Sequence, residues 1–223
     1  TMHIKNFHFA YDKHGPENVD IPDLTLPVGE IIGIIGNNGA GKSTFARCLC
    51  GLDKKASGTL EMNDTVYDRK KRLHTSYMVM QDVNHQLFTE DVLDELLLSM
   101  DGEDEAMDTA RAHEILSSLD LLDKVKLHPM ALSGGEKQRV AIGSAIASNK
   151  EIMVFDEPTS GLDYRHMLEV AKNLNALKNM GKSLFLITHD PELIYKCCTY
   201  LMFIEDGRVV WHRSMDNEAV TLL

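Results

Sequence analysis

The sequence contains no long apolar run. Its longest uninterrupted apolar stretches are four or five residues, as in Leu201–Ile204, whereas a membrane-spanning helix needs about 20. The first residues, TMHIKNF, are polar and interrupted, unlike the start of a signal peptide. The sequence therefore predicts neither a transmembrane helix nor a secretion signal, and we interpret Thr1 and Met2 as a remnant or as a cut from a longer chain.

Cysteines and basic residues are both scarce. The four cysteines occur as C-x-C and C-C pairs, not as the C-x-x-C pairs of structural zinc sites. We expect them to be reduced, structural thiols in a cytoplasmic protein. The 34 acidic residues outnumber the 23 basic ones and give a formal net charge of −11. This charge argues against the phosphate backbone of nucleic acid as a main partner. The cysteines are Cys48, Cys50, Cys197 and Cys198.

The order of strand and helix patterns predicts the fold class. The 223 residues suffice for one large core, or one core with a small subdomain. Strand patterns occupy the first third of the chain and return after residue 150, and residues 84–148 follow a helical period. This order predicts an α/β core with an antiparallel front and a helical insert. Strands are predicted at His3–Tyr11, Val19–Leu26, Glu30–Gly36, Ser57–Tyr67 (a hairpin turning at Asn63 and Asp64), Ser76–Gln81, Glu151–Glu157, Ser183–Asp190 and Tyr200–Trp211. Helices are predicted at Glu90–Met100, Glu105–Leu122, Gly135–Ser148 and Leu162–Gly181.

A phosphate-loop motif, G-x-x-x-x-G-K-[ST], is present at Gly36–Thr44. It follows a buried strand and opens a predicted helix, which is the context that the motif requires and that a chance match lacks. Backbone N–H groups of such a loop surround phosphate, Lys42 supplies positive charge to the β- and γ-phosphates, and the Ser43 hydroxyl can ligate Mg²⁺. The predicted nucleotide-binding residues here are Asn37, Asn38, Gly39, Ala40, Gly41, Lys42, Ser43 and Thr44.

Two adjacent carboxylates follow a second buried strand, in the stretch IMVFDEPTSGLD. Ligand groups of α/β sheets lie at the carboxyl ends of strands. Asp156 is suited to hold Mg²⁺, and Glu157 is suited to polarise an attacking water as general base. The alternative is a solvated acidic turn before Pro158, which the phosphate loop makes the weaker interpretation.

The stretch LSGGEKQRV, Leu132 to Val140, combines a helix cap with two glycines. Ser133 and Glu136 have the spacing of a capping box. Each glycine in the first turn costs about 1 kcal/mol against alanine. The lost stability is understandable if another group approaches that backbone closely.

Taken in order, these motifs resemble those of an ATP-binding-cassette (ABC) ATPase, and the resemblance covers nearly the whole chain. It implies a P-loop NTPase core of the ABC-ATPase type, with an antiparallel β subdomain and a helical insert. We assign one domain, 1–223, with residues 82–149 as the helical subdomain and residues 1–81 and 150–223 as the remainder. The motifs that carry the resemblance are Gly36–Thr44, Gln81, Leu132–Val140, Asp156 with Glu157, Ser160–Asp163 and His189.

The resemblance also implies two chains or domains in head-to-tail contact, with ATP and Mg²⁺ between them. Ser133, Gly134 and Gly135 would then bind the γ-phosphate of ATP held by the opposite subunit. A helix N-terminus offers free N–H donors and partial positive charge to such a phosphate. Asp163 would join the two subunits near the active site.

Three single residues gain roles from their positions. Tyr11 lies at the end of the first strand, and the resemblance implies that it stacks on adenine, with Phe9 as the rival candidate. Gln81 could reach Mg²⁺ or the attacking water. His189 follows an apolar strand and is expected to contact the γ-phosphate.

The lack of a long coiled coil, of a second cassette with a basic linker and of net positive charge favours a transport ATPase over a soluble one. The stretch DVNHQLFTEDVLDELLL resembles that of energy-coupling-factor (ECF) importers of vitamins and cobalt. The expected partner is a membrane-embedded transporter subunit at the cytoplasmic face of the membrane, docked on residues 81–88 with Leu87 and Phe88 partly exposed. The alternatives are a helix start with both side chains packed inside, another ABC importer or exporter, and a soluble ABC ATPase acting on nucleic acid or ribosomes. Since the chain stops at Leu223, we consider one half of a tandem two-cassette protein as well.

Overall fold

Two sheets and a group of helices make up the molecule. The computed structural model describes residues 1–15 and 18–223. The strands are β1 (Met2–Phe9), β2 (Val19–Leu26), β3 (Ile31–Ile35), β4 (Ser57–Met62), β5 (Thr65–Tyr67), β6 (Ser76–Val79), β7 (Ile152–Asp156), β8 (Ser183–Ile187), β9 (Tyr200–Glu205) and β10 (Arg208–Ser214). The helices are α1 (Lys42–Leu49), α2 (Arg69–Thr75), α3 (Val92–Leu98), α4 (Glu105–Ser118), α5 (Gly134–Ser148), α6 (Tyr164–Asn179), α7 (Pro191–Cys197) and α8 (Asn217–Val220).

The larger sheet has six strands in the order β10-β9-β3-β8-β7-β6. Its strands run parallel except β10, which pairs with β9 as an antiparallel hairpin. Parallel strands that are covered on both faces form near-continuous apolar runs, as Ile31–Ile35 does. Ile31 packs into the core on one face, whereas Ile32 and Ile34 pack into the core on the other.

The smaller sheet is antiparallel, with the order β2-β1-β4-β5. It closes one of the two cores, together with α1, over the central sheet. The β4–β5 hairpin turns at Asn63 and Asp64, whose φ angles of 54° and 58° fit the tight turn that the sequence predicts. The predicted fold class, α/β with an antiparallel sheet and a helical part, is confirmed.

Helices α3, α4 and α5 pack on one another between β6 and β7 in the chain. We call these three helices the helical layer. They share the second core with α6, α7 and the other face of the central sheet. The N-terminus of α5 therefore belongs to the helical layer, whereas the ends of β3, β7 and β8 belong to the edge of the central sheet.

Several predicted bounds were wrong by a few residues. The first strand ends at Phe9 rather than Tyr11, and β6 ends at Val79 rather than Gln81. Helices α2 and α7 were not predicted. Tyr11 and Gln81 therefore lie in the loops after their strands, where a side chain is free to turn toward a ligand.

Candidate functional site

The phosphate loop lies between β3 and α1 and is braced by a distant hairpin. The N–H of Gly207, in the turn between β9 and β10, donates to the Ala40 carbonyl at 2.8 Å. Gly36 is required by close approach, because a Cβ there would lie 2.3 Å from the Ile204 carbonyl oxygen. Gly41 caps α1 at a φ of 99°, and a Cβ there would meet the Asn18 carbonyl at 2.8 Å. These contacts hold the loop and leave no room for a side chain at Gly36 or Gly41.

Lys42, the first residue of α1, is buried under the loop. Its ammonium donates to the carbonyls of Gly36 and, at 3.5 Å, Asn37. Burial lowers the pKa of Lys42, an effect that the nearby Glu157 and Asp156 carboxylates oppose. The ammonium group is thus enclosed by carbonyl oxygens, and a negatively charged phosphate would bind it more strongly than these neutral acceptors do.

The two carboxylates lie at the end of β7, as predicted. The Ser43 hydroxyl donates to Asp156 Oδ2 at 2.8 Å. Burial raises the pKa of Asp156, and the Ser43 hydrogen bond partly offsets that rise. Glu157 has a φ of 50°, and its N–H donates to the Ile187 carbonyl at 2.7 Å. The turn directs the Glu157 carboxylate away from the strand and toward the loop after β8.

His189, in that loop, faces both the lysine and the glutamate. Its Nε2 lies 3.4 Å from Lys42 Nζ and 3.6 Å from Glu157 Oε1. The His189 side chain is 55% exposed, so it borders open space rather than the protein core. Lys42 and Glu157 thus both lie next to the His189 ring at the rim of the loop.

Of the two aromatic candidates, Tyr11 is at the site and Phe9 is not. Tyr11 is 67% exposed, and its hydroxyl lies 3.2 Å from the Thr44 hydroxyl. The Phe9 ring is buried and packs edge-on against Tyr11, with centroids 4.8 Å apart. Tyr11 thus has a free ring face held close to the phosphate loop.

One open cavity of about 1400 Å³ collects most of the predicted site residues. Asn37 and Ala40 belong to the loop but do not line the cavity. The predicted residues that line it are Tyr11, Asn38, Gly39, Gly41, Lys42, Ser43, Thr44, Gln81, Asp156, Glu157 and His189. Residues separated by up to 178 positions in sequence thus meet around one volume.

Other lining residues were missed by the sequence analysis. Most belong to the start of β2 and the β9–β10 turn, and no motif connects those segments with the phosphate loop. They are Asn18, Asp20, Ser160, Ile187, Glu205, Asp206, Gly207, Arg208 and Val210. Gln138 of α5 was missed too: it is buried, and its amide donates to the Glu157 carbonyl at 3.5 Å. The stretch LSGGEKQRV therefore contacts the carboxylate turn through its own helix.

The N-terminus of α5 carries the capping box that the sequence predicts. The Glu136 N–H donates to Ser133 Oγ at 3.2 Å, and the Ser133 N–H donates to Glu136 Oε1 at 2.9 Å. A Cβ on Gly134 would meet nothing within 4 Å, so its backbone is open to approach. A Cβ on Gly135 would lie 3.2 Å from the Leu162 side chain. The second glycine therefore also serves packing against the segment that follows β7.

Besides Asn37 and Ala40, four predicted site residues lie outside the cavity. Ser133, Gly134 and Gly135 do not line it, and neither does Asp163. Asp163 is the N-cap of α6, where its carboxylate accepts the His166 N–H at 2.9 Å. The chain thus has one set of site residues around the phosphate loop and a second set elsewhere on its surface.

The stretch after Gln81 presents one apolar side chain, not two. Leu87 is buried, so the expectation that it is partly exposed was wrong, whereas Phe88 is 74% exposed. The buried Glu95 carboxylate accepts the N–H groups of Phe88 and Thr89 at 2.6 and 2.7 Å. Leu87 packs into the core because this turn is pinned to α3, and the same turn holds Phe88 outward.

Comparison with known proteins places the chain in a family. Residues 19–160 match the ABC transporter family. The chain is 44% identical over 183 residues to a Treponema denticola protein named as an ABC transporter ATP-binding protein, with 82% of the chain and 36% of that protein covered. It is 36% identical over 210 residues to the methionine import ATP-binding protein MetN of Bacillus subtilis, covering 89% of the chain and 61% of MetN.

Identity to the L-cystine transport system ATP-binding protein TcyN of Escherichia coli is 32% over 222 residues, covering 93% of the chain and 86% of TcyN. The chain spans well under two thirds of the length of the Treponema denticola relatives, at 36% and 42%. A dimeric, post-hydrolysis ATP-binding cassette with ADP and Pi superposes with a TM-score of 0.83 at 25% identity, covering 97% of this chain and all of that one. Within the described residues, none of the helices combines the length and apolarity needed to cross a membrane. The chain belongs to the ABC transporter family.

Proposed function

We propose that this cassette powers a membrane transporter by binding MgATP in the cavity and hydrolysing it. The observation that carries the proposal is that His189, at the phosphate loop, has its Nε2 3.4 Å from Lys42 Nζ and 3.6 Å from Glu157 Oε1. Lys42 would neutralise the β- and γ-phosphates, Glu157 would take a proton from the attacking water, and His189 would contact the γ-phosphate. The N–H groups of residues 37–44 would surround the phosphates.

Magnesium would bind beside the Ser43 hydroxyl and the Asp156 carboxylate, with Gln81 as a further oxygen ligand. These hard oxygen donors suit Mg²⁺, which keeps several waters and takes phosphate oxygens as ligands. In the described part of the chain there is no group of three or more His, Cys, Asp or Glu side chains placed to hold a metal. The cation would thus depend on the nucleotide for its remaining ligands. It would also relieve the repulsion between the two adjacent carboxylates.

Adenine would stack on the exposed ring of Tyr11. Base–aromatic stacking contributes about 1–3 kcal/mol. The hydroxyl contact with Thr44 and the edge contact with Phe9 limit the rotation of that ring.

The second set of residues would act on a neighbouring cassette. Ser133, Gly134 and Gly135 lie at the N-terminus of a 15-residue helix, away from the chain's own cavity. Helix N-termini bind phosphate through free N–H groups and the helix dipole. We therefore propose head-to-tail pairing with a second ABC cassette, with Asp163 near the joint. Within each cassette, we assign residues 82–149 to the helical subdomain and residues 1–81 and 150–223 to the remainder.

The pairing is tested by mixing two inactive variants. Lys42→Ala removes the phosphate-binding amine, and Gly134→Asp places a carboxylate where the γ-phosphate would lie. Gly134 is the better position than Gly135, because its Cβ meets no atom within 4 Å and its substitution leaves the Leu162 contact intact. Gly134→Ala is the matched control and should keep its activity.

In a mixed pair, one site carries both defects and the other carries none. We expect mixing to restore part of the ATPase activity, or to restore ATP-dependent cross-linking at the intact site if turnover requires both sites. Wild-type protein should show both activity and cross-linking under the same conditions. If neither returns when the two variants are mixed, the α5 N-terminus does not act on a neighbour's ATP.

We further propose that the transporter is an importer at the cytoplasmic face of the membrane, with the cassette bound peripherally to a membrane-embedded subunit. Relatives named for methionine import and L-cystine transport support an importer. The finer proposal, an ECF-type importer of vitamins or metal ions, is supported by the stretch after Gln81. The fold of a CbiO1 chain from a CbiONQ transporter is similar, with a TM-score of 0.79 at 24% identity. Identifying the membrane protein that co-purifies distinguishes these importers.

A further inference from the structure

A cluster of four charged side chains lies where the helical layer meets the segment after β7. His166, in the first turn of α6, has one ring nitrogen 2.8 Å from Asp163 Oδ1 and the other 3.1 Å from Asp120 Oδ2. Arg165 donates to the same Asp120 oxygen at 2.9 Å. Asp120 lies just after α4 of the helical layer, whereas Asp163 ends the Ser160–Asp163 segment. The histidine therefore connects two parts of the molecule through its side chain alone.

The ring nitrogens of His166 have charged partners on both sides. Nδ1 faces the Asp163 carboxylate, and Nε2 faces the Asp120 carboxylate and also, at 3.1 Å, Arg165 Nη2. A protonated Nε2 donates to Asp120, whereas an unprotonated Nε2 accepts from Arg165, which itself donates to Asp120, so the ring is linked to Asp120 directly or through Arg165. The His166 side chain is 13% exposed, so water replaces these partners poorly.

The remaining charged groups around His166 hold Asp120 in place. Asp120 has a φ of 58°, in the left-handed region that is uncommon for non-glycine residues but more accessible to Asp and Asn. Arg139 of α5 donates to the carbonyls of Leu119 and Asp120 at 2.8 and 3.3 Å. The hydrogen bond from His166 holds the pKa of the Asp120 carboxyl below its usual range, with Arg165 and Arg139 adding to the effect. The pKa of Asp163 is lowered first by the backbone N–H of His166.

We propose that His166 is a positioning residue for ATP hydrolysis: its ring ties Asp163 to Asp120, and so couples the orientation of the helical layer to the segment beside the ATP site. This inference rests on the proposed function, in which Ser133 of the helical layer and Asp163 both face a neighbouring cassette. Ion pairs between exposed side chains contribute little to folding. The cluster matters because it fixes the relative positions of two elements that must meet the same partner.

The test compares His166→Gln and Asp120→Asn with the double variant. Neither residue lines the cavity, so the KM for ATP should not change. Turnover should fall about fivefold in each single variant, within the range that substitutions along a coupling path produce. The double variant should fall no further, because each substitution breaks the same contact. His74→Gln is the matched control: His74 is an exposed helical histidine without a side-chain contact recorded among the described residues.

The double variant separates a shared contact from two independent effects. Losses that add in the double variant, or faster turnover in either single variant, would overturn the proposal.

One readout does not depend on hydrolysis. Backbone amides of residues 160–166 should exchange faster in His166→Gln and Asp120→Asn than in His74→Gln. A wild-type protein without ATP turnover would count against the proposed function alone. Unchanged amide exchange in both variants would count against the positioning role alone.

Discussion

Glu157 shows how the surrounding fold determines the conformation of a single residue. A non-glycine residue in the left-handed region costs about 1–3 kcal/mol. Here the N–H of Glu157 is held by the Ile187 carbonyl and its own carbonyl accepts from Gln138. The conformation turns the carboxylate out of β7 and brings it 3.6 Å from His189. The strain is therefore what places the proposed base at the cavity.

Glu157→Gln should bind MgATP with nearly wild-type affinity and hydrolyse it about 10²–10⁴-fold more slowly, because the amide cannot accept the proton. Lys42→Ala should instead weaken nucleotide binding. Both are measured as steady-state turnover and as equilibrium ATP affinity. Glu192→Gln makes the same chemical change at an exposed position of α7 and is the control. Near-normal turnover of Glu157→Gln would remove Glu157 from the role of base.

Helix α5 shows how one element reconciles two opposing requirements. Two glycines weaken its first turn, and the capping box of Ser133 and Glu136 compensates there. The Glu136 carboxylate accepts the backbone N–H of Ser133, and this hydrogen bond holds the pKa of Glu136 below its ordinary value of 4.5. Further along, α5 is stabilised by burial, since Val140, Ile142 and Ala145 are inaccessible to solvent or nearly so.

Replacing Glu136 by Gln should lower the free energy of unfolding at neutral pH. The difference in unfolding free energy between the wild type and this variant should depend on pH. A carboxylate with a depressed folded-state pKa stabilises the fold above the unfolded pKa. That contribution should be complete well above pH 4.5 and should be lost as the pH falls through the lower folded value. Ser133→Ala should cost about 0.5–2 kcal/mol at every pH. Urea unfolding between pH 3 and 7 measures the stability of both variants. If the difference in unfolding free energy between the wild type and Glu136→Gln is the same at every pH, the charge has no capping role.

Local patterns predicted the elements that combine apolar periodicity with a motif. The phosphate loop, the carboxylates after β7 and the start of α5 are each defined by residues within ten positions of one another. Helix α2 was missed because its sequence, RKKRLHT, is entirely polar apart from Leu73, which is exposed. Arg72 of that helix is fully buried and donates to the carbonyls of Cys48, Gly58 and Tyr67. Because charged residues are almost never fully buried, any sequence pattern predicts that such a residue lies on the surface.

Long-range placement could not be predicted from local sequence. Nothing in the sequence sets Gly207 against the phosphate loop, because that contact follows from the pairing of β9 with β3. Leu87 and Phe88 are chemically alike, and only the pinning of their turn by Glu95 decides that one is buried and the other exposed. Spacing alone also left Tyr11 and Phe9 as rivals until the end of β1 was known.

At the scale of the whole molecule, charge and exposed apolar surface together favour a protein partner. The formal net charge of −11 opposes binding to nucleic acid. Phe88 is the most exposed aromatic side chain found among the described residues. Aromatic side chains are enriched at the centres of protein interfaces. The loop between β6 and α3 is therefore the expected docking site for the membrane subunit.

Phe88→Glu should abolish assembly with the membrane subunit and leave basal ATP binding unchanged, because the side chain points away from the protein and touches no predicted ATP ligand. Co-purification with the tagged membrane subunit measures the first effect, and nucleotide titration measures the second. Tyr195→Glu places the same charge at another exposed aromatic position, on α7, and should assemble normally. Unchanged co-purification of Phe88→Glu would refute the docking site, and retention on ribosomes or duplex DNA at physiological salt would favour the soluble alternative.

The position of β3 in the middle of the sheet has a consequence for how the protein is made. Both neighbours of β3, the strands β8 and β9, are encoded about 150 or more residues after it. At about 5–20 residues per second, the ribosome delivers them roughly 7–30 s later. Throughout that interval the apolar segment IIGII has two unpaired edges, the condition under which nascent chains aggregate. Cellular yield should therefore depend on chaperone capacity during translation, and any nascent chain released before residue 183 lacks both strands that would cover β3.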